Sequence, residues 1–175
     1  EERYQILKMI DRRANIGGRI TIDAYGVENI PEQDGFMFFP NHQGLYDVLA
    51  IVEACTHPFS VVAKKEVENV PFLKQVFKIM KAFMIDREDV RQAMKTITSV
   101  TKEVLSGRNY LIFPEGTRSK NGNNVGSFKG GSFKAATKAK CPIIPVALVD
   151  SFKPFDTNST RPVTVQVHFL KPMLY

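Results

Sequence analysis

A histidine and an aspartate within residues 41–47 (NHQGLYD) are the first pair whose types and spacing suit catalysis. His42 and Asp47 lie five residues apart, and a continuous helix would turn them about 140° away from each other. Because Gly44 lies between them, a loop can instead fold the carboxylate back onto the imidazole. Asp47 would then fix the tautomer of His42 and hold the imidazolium that forms on proton transfer. The alternative is that Asp47 only caps a helix beginning at Val48.

A second candidate, residues 113–119 (FPEGTRS), directly follows an apolar strand pattern. Ligands of open α/β sheets bind beyond the carboxyl ends of strands, which is where this segment falls. Gly116 allows close approach of a backbone, and Arg118 offers a planar fork that binds phosphate with two hydrogen bonds. The alternative is a surface turn in which Glu115 and Arg118 pair with each other.

Two shorter motifs have ready structural explanations. In Ile85-Asp86-Arg87 a short strand brings an arginine next to a carboxylate, for which a local surface ion pair is the alternative. In residues 141–146 (CPIIPV) two prolines frame the start of a strand, which by itself is a structural feature.

Several functional classes are disfavoured. Residues 126–132 have the glycine spacing of a nucleotide-binding loop, but serine occupies the position that requires lysine. The chain has no Gly-x-Ser-x-Gly motif, and its histidines and two cysteines form no metal-ligand pattern. No nucleic-acid-binding module is recognisable.

The composition fits one globular domain that favours anionic partners. The 175 residues are 43% hydrophobic and 24% charged, which excludes disorder and fibrous repeats. The 24 Lys and Arg residues exceed the 18 Asp and Glu residues, for a net charge of +6. Two cysteines are too few for a disulfide framework and indicate a reducing compartment. Apolar stretches fall short of the roughly 18 residues of a membrane span.

The elements that must position these motifs alternate along the chain. Helical periodicity is clearest at 90–105 and weak at 1–18, with shorter helices expected at 48–54, 70–80 and 132–140. Strand patterns fall between them: ITIDAY, FMFFP, FSVVA, AFMIDR, NYLIF, IIPVALV and VTVQVHF. This alternation indicates a single α/β layer structure.

Taken together and in this order, the four motifs resemble the glycerolipid acyltransferase family, and within it the 1-acylglycerol-3-phosphate acyltransferases. The linking pieces are similar as well: GVENIP at 26–31, KKE at 64–66 with Pro71, and FKGG at 128–131. The resemblance implies an α/β fold like that of glycerol-3-phosphate (1)-acyltransferase. This fold has a single-domain mixed sheet flanked by helices. Residues 1–175 form this domain, with a lead-in segment at 1–25 and a catalytic core at 26–172, and the parent chain is expected to extend beyond both ends.

The implied reaction moves a fatty acyl group from acyl-CoA or an acyl carrier protein thioester to the free hydroxyl of lysophosphatidic acid, which gives phosphatidic acid. The thioester is already activated, so no serine or cysteine nucleophile, metal or cofactor is expected. His42 is expected as the general base, oriented by Asp47. The alternatives are acylation of glycerol 3-phosphate or another lysophospholipid, hydrolysis of the thioester, or a non-catalytic lipid-binding domain.

The resemblance also implies where substrates bind. Arg118 and Arg87 are expected to anchor the acceptor phosphate, together with Lys64 or Lys65. The other implied substrate-binding residues are Asn41, Glu115, Gly116 and Thr117, whereas Pro145 is implied on the donor side or as a structural residue.

An anionic membrane surface is the expected partner, at the cytoplasmic face of the cell membrane. The domain would be peripheral there, or anchored through segments outside this chain. The N-terminal stretch offers apolar residues for the interface, among them Tyr4, Ile6, Leu7, Met9 and Ile10, interspersed with Lys8, Arg12 and Arg13. The alternative is an ordinary helix packed on the sheet.

Overall fold

Seven strands form one sheet in the computed structural model, which describes residues 2–69, 71–86, 88–157 and 159–175. The strand order is β1-β7-β6-β2-β5-β3-β4. The strands are β1 (Ile20–Tyr25), β2 (Met37–Pro40), β3 (Phe59–Lys64), β4 (Phe83–Ile85), β5 (Asn109–Ile112), β6 (Ile143–Val149) and β7 (Val163–Phe169).

Neighbouring strands are parallel except β6 and β7, so the sheet is mixed, as the resemblance implies. The strands from β2 to β6 all end at the same edge of the sheet, and this arrangement brings their following loops together. β1 belongs to the lead-in segment 1–25, yet it pairs along its whole length with β7, beginning at Ile20 opposite Val163.

Helices cover both faces of the sheet. They are α1 (Glu2–Gly17), α2 (Asp47–Ala54), α3 (Pro71–Ile79), α4 (Val90–Leu105), α5 (Lys134–Ala139) and α6 (Lys153–Asp156). α1, α2 and α3 share one buried cluster with Phe38, whereas α4 and α5 share the other with Met37 and Phe39. β2 therefore packs apolar side chains on both faces, which explains its uninterrupted apolar sequence.

The sequence pattern predicts most of these elements. The helix expected at 132–140 begins instead as a 3-10 turn (Gly130–Phe133) and becomes α-helical at Lys134. α6 was not expected. Val70, the first residue of another expected helix, lies outside the described residues, and α3 begins at Pro71. Within the described ranges, no helix combines the length and the apolar character needed to cross a bilayer.

Candidate active site

The loop between β2 and α2 folds back around the Asp47 carboxylate. Oδ2 of Asp47 lies 2.7 Å from Nδ1 of His42 and accepts the N–H of Gln43 at 2.7 Å. Oδ1 accepts the N–H of Gly44 at 3.0 Å. Asp47 is the first residue of α2, and its carboxylate points back to the loop instead of capping the helix. The loop thus forms the histidine–carboxylate pair that the spacing allows.

The imidazole of His42 is held on two sides. Its ring stacks on Phe113 with centroids 3.9 Å apart and an interplanar angle of 19°. Because a carboxylate only accepts hydrogen bonds, the proton shared with Asp47 lies on Nδ1, and Nε2 is left as an acceptor. Asp47 is fully buried, whereas 22% of the His42 side chain is exposed. A partly exposed imidazole with an acceptor nitrogen, backed by a buried carboxylate, can act as a general base.

Glu115 joins the two main motifs. Its Oε1 accepts the N–H of His42 at 2.8 Å, and its Oε2 accepts the N–H of Gly126 at 2.7 Å. The N–H of Ser119 in turn donates to the His42 carbonyl at 2.7 Å. Glu115 is buried, and both of its oxygens bind main-chain groups, so the surface pair with Arg118 does not form.

Arg118 reaches across to α6. Its Nη1 lies 3.5 Å from Oδ1 of Asp156, and both side chains are partly exposed. A single contact between exposed charges contributes little free energy, so a bound anion can displace it. Gly116 adopts φ of +74°, a conformation that glycine tolerates at no cost, and Thr117 is exposed beside it.

Asn41 and Pro145 connect β2 with β6. The Asn41 side chain accepts the N–H of Leu148 at 2.6 Å and donates to its carbonyl at 3.1 Å. Pro145 lies opposite Phe39 in the sheet, and its carbonyl accepts the N–H of Leu170. Asn41 therefore secures the strand end from which His42 projects, whereas Pro145 joins β6 to the residue that follows β7.

The predicted lysines lie further along the same edge. Lys64 ends β3 and pairs with Glu66 at 2.6 Å, and Lys65 lies 3.6 Å from Asp86 beyond β4. Two backbone N–H groups and Lys65 hold the pKa of the Asp86 carboxyl below its ordinary value, the N–H of Glu88 most strongly. Arg87 lies outside the described residues. β5 separates this group from the strand that carries His42.

Ser151 is a site residue that the sequence analysis did not identify. It follows β6 at the edge that also carries His42 and Glu115, and it donates to Asp47 Oδ1 at 2.6 Å. Like the other two segments, Ser151 is polar and closely follows a buried strand, and this pattern is its signal in the sequence. The described residues contain no group of three or more His, Cys, Asp or Glu side chains arranged to hold a metal ion.

Several known proteins are similar to this chain in sequence. A family model named Acyltransferase matches residues 21–149. The 1-acyl-sn-glycerol-3-phosphate acyltransferase of Borreliella burgdorferi is 33% identical over 159 residues, which cover 89% of this chain and 63% of the relative. The Escherichia coli protein of the same name is 33% identical over 138 residues, which cover 78% of this chain and 56% of the relative.

A solved structure has a similar fold. The 1-acyl-sn-glycerophosphate (LPA) acyltransferase PlsC from Thermotoga maritima superimposes with a TM-score of 0.78 at 22% sequence identity, covering 98% of this chain and 68% of that one. The chain spans between about half and two thirds of the length of the relatives it matches. On its sequence and its fold, it belongs to the acyltransferase family of glycerolipid synthesis.

Proposed function

We propose that this chain carries the catalytic part of a 1-acylglycerol-3-phosphate acyltransferase, which transfers an acyl group from an acyl-CoA or acyl carrier protein thioester to lysophosphatidic acid. One observation carries the proposal: the buried Asp47 carboxylate holds Nδ1 of His42 and leaves Nε2 as an acceptor. The relatives from Borreliella burgdorferi and Escherichia coli, each 33% identical, are named 1-acyl-sn-glycerol-3-phosphate acyltransferases.

In the proposed mechanism, Nε2 of His42 takes the proton of the acceptor hydroxyl as its oxygen attacks the thioester carbonyl. Asp47 stabilises the imidazolium that forms. The tetrahedral intermediate then expels the thiolate, which takes the proton from the imidazolium and leaves as a thiol. One C–O bond forms, one C–S bond breaks, and His42 returns to its starting state. General base catalysis of this kind contributes about 10²- to 10⁴-fold.

The acceptor phosphate would bind at Arg118. Its neighbour Ser119 is hydrogen-bonded to the His42 carbonyl, which places the arginine in the segment directly attached to the catalytic loop. Its guanidinium can bind two phosphate oxygens once the single contact with Asp156 is released. Lys64 and Lys65 add positive charge further along the edge and, with Arg87, are proposed as secondary cations.

We place this activity at the cytoplasmic surface of a membrane. α1 packs on the sheet through buried Tyr4 and Leu7, so it is an ordinary packed helix on that side. Its other side exposes four large apolar residues, Ile6, Met9, Ile10 and Ile16. Arg12 and Arg13 are exposed on the same helix, which gives it the mixed apolar and basic surface of an interfacial helix.

The decisive experiment assays purified protein with acyl-CoA and acyl carrier protein thioesters. The acceptors are lysophosphatidic acid, glycerol 3-phosphate, other lysophospholipids and water alone. We expect phosphatidic acid from the first acceptor and loss of at least about 100-fold in His42→Ala. Acyl release without an acceptor would identify a hydrolase, and binding without turnover would identify a lipid-binding domain.

A second histidine provides the matched control. His57 Nδ1 lies 2.8 Å from Asp34 Oδ1, so His57→Ala also removes a histidine–carboxylate pair. This pair precedes β2 and β3 and therefore lies at the opposite edge of the sheet. We expect His57→Ala to retain the wild-type turnover, and near-normal turnover of folded His42→Ala would refute the mechanism.

A further inference from the structure

Ser151 is a completely buried polar residue that contacts the catalytic pair from outside the motifs. It lies two residues beyond the end of β6. Its Oγ is 2.6 Å from Oδ1 of Asp47 and 2.8 Å from Oε1 of Gln43. Its backbone N–H donates to the same Gln43 oxygen at 3.0 Å.

The hydroxyl of Ser151 donates its single hydrogen bond to Asp47. Both neighbouring oxygens are acceptors, and a hydroxyl can donate fully to only one of them. The carboxylate is the charged acceptor and the closer one, so it forms the stronger hydrogen bond. Oε1 of Gln43 already accepts a hydrogen bond from the backbone N–H of Ser151.

With Ser151 included, each Asp47 oxygen has two partners. Oδ2 faces His42 Nδ1 and the N–H of Gln43, whereas Oδ1 faces the N–H of Gly44 and the hydroxyl of Ser151. The four contacts fix the rotation of the carboxylate about its own bond. Without the hydroxyl, Oδ1 would keep one donor in a site closed to water.

We propose that Ser151 is a positioning residue for acyl transfer, whose hydroxyl holds Oδ1 of Asp47 so that Oδ2 stays aligned with His42 Nδ1. This inference rests on the proposed function. Ser151 acts through Asp47 and touches neither substrate nor the reacting atoms. The segment that follows β6 thereby contributes the third member of a Ser151–Asp47–His42 chain.

The same group is tied to the neighbouring surface loop. Gln43 Nε2 donates to Oδ1 of Asn123 at 2.8 Å, and that oxygen also accepts the N–H of Asp150 at 2.8 Å. Asn123 Nδ2 donates to Asp150 Oδ1 at 3.0 Å. These bonds hold Ser151 and Gln43 in register with each other, so the hydroxyl reaches Asp47 with little conformational freedom.

The first test compares Ser151→Ala with Ser60→Ala. Ser60 is also a buried serine, and its hydroxyl donates to the Met80 carbonyl at 2.7 Å, away from the catalytic loop. We expect kcat of Ser151→Ala to fall by about tenfold or more, as for loss of a hydrogen bond to a charged group, with little change in KM. The acid limb of its pH–rate profile should move to lower pH, because a carboxylate that is free to rotate away from Nδ1 stabilises the imidazolium less. Ser60→Ala should keep the wild-type kcat and profile.

A double-mutant cycle distinguishes a role of Ser151 through Asp47 from a general disturbance of the structure. If Ser151 acts through Asp47, adding Ser151→Ala to Asp47→Asn leaves turnover as low as in Asp47→Asn alone. An additive further loss in the double variant, or an equal loss in Ser60→Ala, would overturn the proposal.

A spectroscopic readout remains valid if acyl transfer itself fails. In ¹⁵N-labelled protein, the Nδ1–H proton of His42 should move upfield in Ser151→Ala, because a misaligned Oδ2 weakens its hydrogen bond, and should keep its position in Ser60→Ala. A resonance that is unchanged or moves downfield in Ser151→Ala contradicts the positioning role. If the wild-type protein transfers no acyl group but Ser151→Ala still shows the expected resonance shift, the proposed function is refuted and the hydrogen-bond chain is supported.

Discussion

At the residue scale, Asp47 and Glu115 act alike, because each is a buried carboxylate that accepts two main-chain N–H groups from the loops around His42. Asp47 binds the N–H of Gln43 and Gly44, and Glu115 binds the N–H of His42 and Gly126. The family resemblance implies that Glu115 contacts the acceptor. In the structure its two oxygens join the segment that carries Glu115 and Arg118 to the loop of His42 and to Gly126.

Glu115→Gln tests this bridging role. The amide has one acceptor in place of two, so its NH₂ group would face the N–H of either His42 or Gly126. An unsatisfied buried donor costs about 1–3 kcal/mol, and each kcal/mol lowers the melting temperature of a domain of this size by roughly 2–4 °C. We expect a lower melting temperature by calorimetry together with reduced turnover. Wild-type stability and turnover would show that the bridge is dispensable.

Arg118→Lys tests the acceptor site. The lysine keeps the charge but loses the fork that binds two phosphate oxygens, so KM for lysophosphatidic acid should rise by about tenfold while KM for the thioester stays constant. Arg108→Lys is the control. Arg108 lies between α4 and β5 and pairs with Glu103 of α4, at the edge of the sheet opposite to His42. A rise confined to KM for the thioester would assign Arg118 to the acyl donor.

At the element scale, periodicity and turn residues predict the strands and long helices, because each buries a clear apolar stripe or run. α4 is an example: Ile97, Val100 and Val104 face the core, and Asp89 caps its first turn by accepting two backbone N–H groups. The pairing of Asp47 with His42 follows from spacing and a glycine. Periodicity does not predict α6, because this helix is a single turn of sequence KPFD. Local spacing does not predict the contact from Ser151 to Asp47, because these residues are 104 positions apart.

The interface of α1 and α2 contains a feature that periodicity also misses. Asp11 is buried on the packed side of α1, and among the described residues neither of its carboxylate oxygens has a hydrogen-bond partner. Burial raises the pKa of Asp11 to about 7, and the nearby Glu53 carboxylate adds to the rise, whereas Lys8 opposes it. Folding therefore favours the protonated form of this residue.

Asp11→Asn should change how stability depends on pH. Between the ordinary pKa of an aspartate and about 7, the unfolded chain has lost the proton that the folded protein retains, so stability falls as pH rises through this window. The neutral amide removes that dependence. We expect Asp11→Asn to melt a few degrees above the wild type at pH 8 and close to it at pH 4, with the half-exposed Asp23→Asn as the control. Equal pH dependence in Asp11→Asn and the wild type would contradict the raised pKa.

At the scale of the whole molecule, sheet topology places the C-terminal end of α1 at the edge of the sheet that also carries His42. β7 runs opposite to β6, and β1 runs parallel to β7, so Ile20 at the start of β1 lies at the edge where β6 ends. The last turn of α1, with Ile16 exposed at 74%, leads directly into this edge. A membrane that binds α1 would therefore lie beside the loops that carry His42 and Arg118.

Liposome flotation tests whether the exposed surface of α1 contacts the membrane, and whether charge or apolar contact contributes to binding. The net charge of +6 should bring the chain to vesicles containing phosphatidylglycerol at low salt, and high salt should weaken this attraction by screening. Ile16→Glu places a negative charge on the proposed contact surface and should reduce flotation at low salt. Val90→Glu is the matched control, because Val90 is 72% exposed at the start of α4, on the other face of the sheet. Equal loss in the two variants would show that only net charge matters, and a wild-type chain that stays unbound at low salt would exclude this surface as the membrane contact.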